Sequence, residues 1–181
     1  MAVLRIRQFG DPALRQRAAE VEEVTDVHRR LVADMVETMR AAPGVGLAGP
    51  QVGVMERIFV WEVGDDHGAV INPKITWVSD DEVEWEEGCL SLPGLYYALM
   101  RPGNVRIEGI DEQGAPVSIE ADELLARVFQ HEIDHLDGVL FIDHLPEDKR
   151  KEALTILREQ ALGLPPSVPP PVPSHPAEEA L

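Results

Sequence analysis

Two histidines stand four residues apart in His131-Glu132-Ile133-Asp134-His135, and a glutamate follows the first. On a helix, positions i and i+4 lie one turn apart on the same face. The two imidazoles can converge on one metal ion, and the glutamate can act as general base on water held there. The same five residues also fit two histidines and an acid on a solvated helix face. The pattern therefore needs partners.

A catalytic metal calls for a third protein ligand and an open position. The single cysteine, Cys89, lies upstream in Glu86-Glu87-Gly88-Cys89-Leu90-Ser91. Thiolate is a strong ligand for zinc or ferrous iron. A lone cysteine is otherwise a small buried hydrophobe, but two acids precede this one, so a dry core position is not expected. Without a metal those acids would raise the thiol pKa and disfavour thiolate, which argues against a free nucleophile. A third segment, Gly44 to Gly53, is glycine-rich. It is not a Walker loop, because no Lys-Ser/Thr follows. It reads as a connecting loop or as backbone that approaches a peptide closely, with Gln51 offering an amide donor.

The elements that must hold these groups follow from periodicity. Val27, Leu31, Val32, Met35, Val36 and Met39 recur at helical spacing and predict a helix from Val27 to Arg40. Thr25 and Asp26 are its candidate N-caps, and Pro43-Gly44 ends it. Strands are expected at Arg57 to Glu62, Ala69 to Val78, and around Val83 and Trp85. Two more, Val105 to Ile110 and Pro116 to Glu120, flank a hairpin turn at Asp111-Glu112-Gln113-Gly114. A second helix, Asp122 to Leu136, carries both histidines, with Gly138 placed as a C-terminal cap. A third runs from Pro146, at its first position, to Leu162, with Gly163 after it. Seven of the fifteen prolines fall between Pro165 and Pro176, so Leu164 to Leu181 reads as a disordered, partly polyproline-like tail.

Bulk properties narrow the class. The chain has 181 residues, 44% of them hydrophobic, enough for one ordinary domain with a core. Its net charge of −17 disfavours direct binding to DNA or RNA. One cysteine excludes an internal disulfide framework and fits a reducing compartment. No apolar run approaches a membrane span, and the first residues lack a signal peptide's apolar stretch. The expectation is a cytoplasmic protein.

The three segments, in this order, resemble the peptide deformylase family. The family's G-x-G-x-A-A-x-Q, E-G-C-x-S and H-E-x-x-H segments stand here as Gly44 to Gln51, Glu87 to Ser91 and His131 to His135. Phe9 to Arg15, Arg101-Pro102, Leu124 to Phe129 and His135 to Gly138 also look like the family's, so the resemblance covers about Val3 to Gln160. It implies an α+β fold, with mixed and antiparallel strands packed around a central helix carrying the H-E-x-x-H motif. A catalytic domain would span 1–163, followed by the proline-rich tail, 164–181.

The resemblance also implies roles. Cys89, His131 and His135 would bind the metal, iron(II) by preference, with Zn2+, Ni2+ or Co2+ able to substitute. Glu132 would be general base and then acid. Gln51 and the backbone N–H of Leu90 would stabilise an oxyanion. The substrate would meet Gly44, Val45, Gly46, Glu87, Gly88, Leu124, Arg127 and Val128, with Val45, Leu124, Val128 and the aliphatic part of Arg127 forming an apolar pocket for methionine. The peptide beyond that methionine would lie against Val45 and Leu95-Tyr96-Tyr97 as an added strand. The implied reaction is hydrolysis of the N-formyl group from formyl-methionine at the start of new polypeptides, releasing formate. The implied partners are N-formylmethionyl nascent peptides and the ribosome near its exit tunnel. Docking there would call for a local basic patch, which the sequence does not reveal. One departure is Gly49, where the family usually has Ala; it should loosen the loop holding Gln51, by about 0.5–1 kcal/mol of entropy.

Two rival readings use the same motif. A metalloprotease would take its third ligand downstream, from Asp143 or His144. A non-catalytic metal-binding relative would be expected to lack Glu132 or Gln51, and both are present.

Overall fold

The computed structural model describes residues 2–171. Five antiparallel strands form the main sheet, in the order β1 (Gly46–Ala48), β2 (Ile58–Val63), β3 (Asp66–Val78), β6 (Asn104–Ile110) and β7 (Pro116–Asp122). A second sheet is the hairpin of β4 (Glu82–Glu87) and β5 (Tyr97–Pro102). Among the described residues, three α-helices complete the fold: α1 (Asp26–Ala41), α2 (Glu123–Leu136) and α3 (Glu147–Leu162).

Successive side chains of a strand point to opposite faces, and β2 shows how that seats the helices. Phe59 and Trp61 pack with Val128, Phe129 and Ile133 of α2. Ile58 and Val60 face the other way, onto Met35 and Met39 of α1. The sheet is thus sandwiched, and the run Ile58-Phe59-Val60-Trp61 is apolar throughout because both of its faces are covered. A third cluster joins Leu92, Leu95 and Leu99 to Phe141, Ile142 and the α3 residues Ile156 and Leu157.

The two ends of α2 are set in different ways. Glu123 opens it in the left-handed region, φ 46°, a conformation rare for a non-glycine residue. At the other end the buried Arg57 reaches the Leu136 carbonyl (3.3 Å), the Pro73 carbonyl (3.3 Å) and Asp137 Oδ1 (2.7 Å). A cation there satisfies carbonyls the helix leaves open and complements its dipole. Gly138 follows with φ 74°, and a Cβ there would lie 2.9 Å from the Arg15 backbone.

The expected hairpin joins β6 and β7. Asp111 Oδ1 accepts from the N–H groups of Gln113 (2.9 Å) and Ala115 (2.8 Å). Two expectations need correction. Gly44 to Gly53 is not a plain loop: Gly46–Ala48 is an edge strand paired with β2, and Gly49–Val52 is a 3-10 turn. Pro146 is the N-cap of α3, one residue before the helix, with ψ 152°. Leu95 and Tyr97 are buried, and the Tyr97 hydroxyl donates to Glu152 of α3 (3.1 Å).

Of the segment expected to form a tail, 164–171 carries no helix or strand. Its first residues return to α3: Ser167 donates from both N–H and Oγ to the Glu159 carboxylate, and Val168 packs on the third cluster. The rest of the expected tail, 172–181, lies outside the described residues.

Candidate metal centre and active site

His131 and His135 project from one face of α2, their ring centroids 4.8 Å apart. Cys89 arrives from the turn after β4, its Sγ 3.2 Å from His135 Nε2. The three side chains are buried, and their ligand atoms lie within 4.8 Å of one another. The expectation that Cys89 would not occupy a dry position is therefore corrected. The preceding acid does not hold the segment in water, because Glu87 is itself fully buried and paired.

That pairing is dense. Glu87 accepts from Arg101 Nε (2.6 Å) and Nη2 (2.9 Å), from Arg127 Nη1 (3.0 Å), and from His131 Nδ1 (3.1 Å). A carboxylate only accepts, so Nδ1 of His131 carries the proton and Nε2 presents its lone pair to the site. Arg101 also donates from Nη1 to Asp134 (2.8 Å), and Asp134 accepts from His144 Nε2 (2.8 Å). Two acids balance two guanidiniums, as burial of charge requires. Burial pushes the Glu87 carboxyl up, but the hydrogen bonds from His131 and Arg101 outweigh it and hold it well below the usual carboxylate range.

At the other groups of the centre burial prevails and favours the neutral form. Burial, then the charges of Glu87 and Asp134, raise Glu132 well above its ordinary 4.5. Burial and the neighbouring His131 hold His135 well below 6.5, in the neutral form a ligand needs. Burial first, with the Glu132 and Glu87 charges adding, pushes the Cys89 thiol up to about 12.

Among the described residues, His131 Nε2 and both carboxylate oxygens of Glu132 are buried without a hydrogen-bond partner. Such groups are costly unless something else completes them. An unpartnered imidazole nitrogen, a neutral second imidazole and a thiol on one point are the donor set a divalent cation takes, so the residues fit a metal. His144 and Asp143, the downstream ligands a metalloprotease reading would use, are engaged elsewhere: His144 with Asp134, and Asp143 with Arg15 and Arg150.

The glycine-rich segment faces the same point. A Cβ on Gly46 would lie 2.3 Å from Glu132 Oε1 and 3.0 Å from Val128 Cγ1. One on Gly44 would lie 2.6 Å from Leu90 Cδ1. Glycine is needed at both because other side chains fill that space. Gln51 is 1% exposed. Its Oε1 accepts from Ala48 N–H (2.7 Å), which aims Nε2 at Ser91 Oγ (3.4 Å) and Cys89 Sγ (3.8 Å). Gly88 is also buried, beside Cys89.

The polypeptide deformylase family model matches residues 3–151. A peptide deformylase of Acidothermus cellulolyticus is 50% identical over 159 residues, which cover 88% of this chain and 88% of that one. The crystal structure of peptide deformylase from Thermus thermophilus aligns with a TM-score of 0.83 and 47% identity, over 89% of this chain and 96% of that one. The structure of the Ehrlichia chaffeensis enzyme in complex with actinonin aligns with a TM-score of 0.85 and 40% identity, over 88% and 98%.

The chain belongs to the peptide deformylase family. It is a hydrolase with the family's α+β fold. Against the family's usual Ala, Gly49 was expected to loosen the loop. The structure gives the opposite account: a Cβ at Gly49 would meet the Glu56 and Val54 carbonyls at 2.8 Å each. This chain brings those backbones close, and the turn closes with Val54 N–H donating to the Gly49 carbonyl (2.9 Å).

The expected pocket residues divide. Val128 is fully buried, and Val45 and Leu124 pack on the same cluster. The Arg127 head turns the other way, to Glu87, the Leu99 carbonyl (3.1 Å) and the Val83 carbonyl (2.6 Å). Burial lowers the pKa of that guanidinium from its usual value. Sequence reasoning missed the roles of Arg57, of Arg101 as the bridge from Glu87 to Asp134, and of the Arg127 head. One signal existed for Arg101: it follows Tyr97 and Leu99 at period two, on the inward face of β5.

Proposed function

We propose that this chain hydrolyses the N-formyl group of formyl-methionine at the start of new polypeptides, releasing formate. The observation that carries the reading is Glu132. Its carboxylate is buried and unpartnered, it follows a ligand in sequence, and it faces a glycine that leaves it room. A group so placed is poised for a proton.

When bound at Cys89, His131 and His135, the metal would polarise the formyl carbonyl and lower the pKa of water from about 15.7 to about 7. Glu132 takes the proton from water as the water oxygen bonds to the formyl carbon. Gln51 Nε2 and the Leu90 N–H donate to the carbonyl oxygen as charge gathers there; one such donor is worth about 10²–10³ in turnover. Glu132 then passes the proton to the departing nitrogen, the C–N bond breaks, and the products are formate and a free N-terminal amine. Val45, Leu124 and Val128 receive the methionine side chain, with the stem of Arg127 beside them. Gly44, Gly46, Glu87 and Gly88 border the path of the peptide.

We take iron(II) as the resident metal, with Zn2+, Ni2+ or Co2+ able to replace it. Thiolate softness supports iron or zinc equally, and the choice of iron rests on the family. The reading places the chain in the cytoplasm, acting on nascent chains near the ribosomal exit tunnel.

The test is deformylation of formyl-Met-Ala-Ser by anaerobically purified protein, beside Glu132→Ala with its metal content measured. Activity in the parent, lost by about 10²–10⁴-fold in a metal-loaded variant, is expected. Metal in both with activity in neither would leave a non-catalytic binding protein. Equal activity after aerobic and anaerobic purification would count against iron.

A further inference from the structure

The N-terminal segment crosses both loops that carry the proposed oxyanion donors. The Arg7 N–H donates to the Gln51 carbonyl (2.7 Å), and the Phe9 N–H donates to the Ser91 carbonyl (2.9 Å). Between them, Gln8 Nε2 donates to the Leu90 carbonyl (3.2 Å). Three consecutive residues thus grip Gln51, Leu90 and Ser91. Side chains add to the grip. A Cβ on Gly53, which closes the turn carrying Gln51, would lie 2.7 Å from Arg7 Nη2. Phe9 packs on the cluster that contains Cys89.

The direct side-chain contacts between the two loops are longer. Gln51 Nε2 stands 3.4 Å from Ser91 Oγ and 3.8 Å from Cys89 Sγ. Ordinary N–H···O bonds fall between 2.7 and about 3.2 Å and weaken beyond that. The short bonds that fix the spacing of the loops therefore run through residues 7–9. Holding the Leu90 and Ser91 carbonyls sets two adjacent peptide planes, and leaves little freedom for the Leu90 N–H next to them.

We infer that Arg7, Gln8 and Phe9 are positioning residues that set the separation of the Gln51 amide from the Leu90 N–H; the inference rests on the reading of those two groups as oxyanion donors. An oxyanion hole works by donors fixed in advance, so a small change in their spacing costs turnover more than substrate binding. The same segment offers its own control. The Leu4 N–H donates to Thr38 Oγ1 (2.8 Å) on α1, away from both loops.

The experiment measures kcat and KM on formyl-Met-Ala-Ser, metal content and melting temperature for the full chain and its variants. Parent activity and its loss in Gln51→Ala come first; an inactive parent, or an unaffected Gln51→Ala, removes the oxyanion reading itself before the clamp is tested. Arg7→Pro deletes the donor to Gln51, and kcat should fall roughly 10-fold or more with KM within about twofold. Arg7→Lys, which keeps the N–H and loses only the guanidinium packed on Gly53, should lose far less kcat than Arg7→Pro. Leu4→Pro should lower the melting temperature and leave kcat unchanged. Gln8→Ala removes only an exposed side-chain donor and should lower kcat about threefold, the worth of one ordinary hydrogen bond. An equal loss of kcat in Leu4→Pro, or a loss in Arg7→Lys matching that in Arg7→Pro, overturns the clamp. So does unchanged kcat in Arg7→Pro. If Arg7→Pro does not fold, Gln8→Ala decides, and parent-like kcat there overturns it.

Discussion

Helix α2 has two sides with opposite policies toward polar groups. On one, His131 Nδ1 leads into Glu87, Arg101, Arg127, Asp134 and His144, joined by hydrogen bonds of 2.6–3.1 Å. On the other, one residue along the helix, Glu132 is equally buried and both of its oxygens lack a partner. Full pairing fixes geometry, because every member has one satisfied arrangement. Lack of pairing leaves a group to be completed by what binds. The helix thus holds the orientation of its ligands with one side and keeps its reactive carboxylate uncommitted on the other.

The largest effect should come from breaking the paired side. Glu87→Ala leaves two buried guanidiniums without their shared acceptor, and removing one partner of a buried charge pair costs about 3–5 kcal/mol. It also frees the His131 ring, and loss of such an outer partner costs about 10–100-fold in metal affinity. Chemical denaturation and metal titration should both register it. A variant of parent stability would mean that the network does not hold His131.

The unpaired side should break differently. Gly46→Ala places a methyl 2.3 Å from Glu132 Oε1, so the carboxylate must move. We expect kcat to fall about 10²-fold, as for a misplacement of about 1 Å. Metal content should stay at the parent level, because the atoms nearest that methyl belong to Glu132 and Val128 and not to a ligand. Loss of metal in Gly46→Ala would erase the distinction between the two sides.

Much of this was legible in the sequence. The period of α1 and α2, the hairpin at Asp111 to Gly114 and the pairing of His131 with His135 follow from local spacing, and the structure places each where spacing puts it; Cys89 was implied by the resemblance, and the structure brings it to the same point. What was not legible depends on contacts distant in sequence. β1 was hidden because Gly46 has no side chain to show a period. β5 was hidden because its inward position at Arg101 is charged, and only the acids it meets from β4 and α2 explain that. The dryness of Cys89 was misjudged for the same reason: acids read as solvated are, when paired, part of the core.

Gly49→Ala tests the corrected account of the turn that carries Gln51. A methyl there meets two backbone carbonyls at 2.8 Å, and overpacking of that kind costs about 1–3 kcal/mol. The loosening first expected from the sequence predicts the reverse, a gain of about 0.5–1 kcal/mol from a less flexible unfolded chain. The sign of the change in melting temperature separates them.

The smallest effect marks where the paired side ends. His144 is the outermost member, with 43% of its side chain exposed. The hydrogen bond to Asp134 raises its pKa above the ordinary 6.5. A group whose folded pKa is raised contributes stability that is complete below its unfolded value and is lost as pH rises through the folded value. Solvent screening keeps that contribution below about 1 kcal/mol. The parent should therefore melt above His144→Ala below pH 6.5, and the gap should narrow as pH rises above that value and the imidazole loses its proton. A gap that stayed constant as pH rose would mean that His144 packs against Asp134 without charge, and the paired network would then end at Asp134.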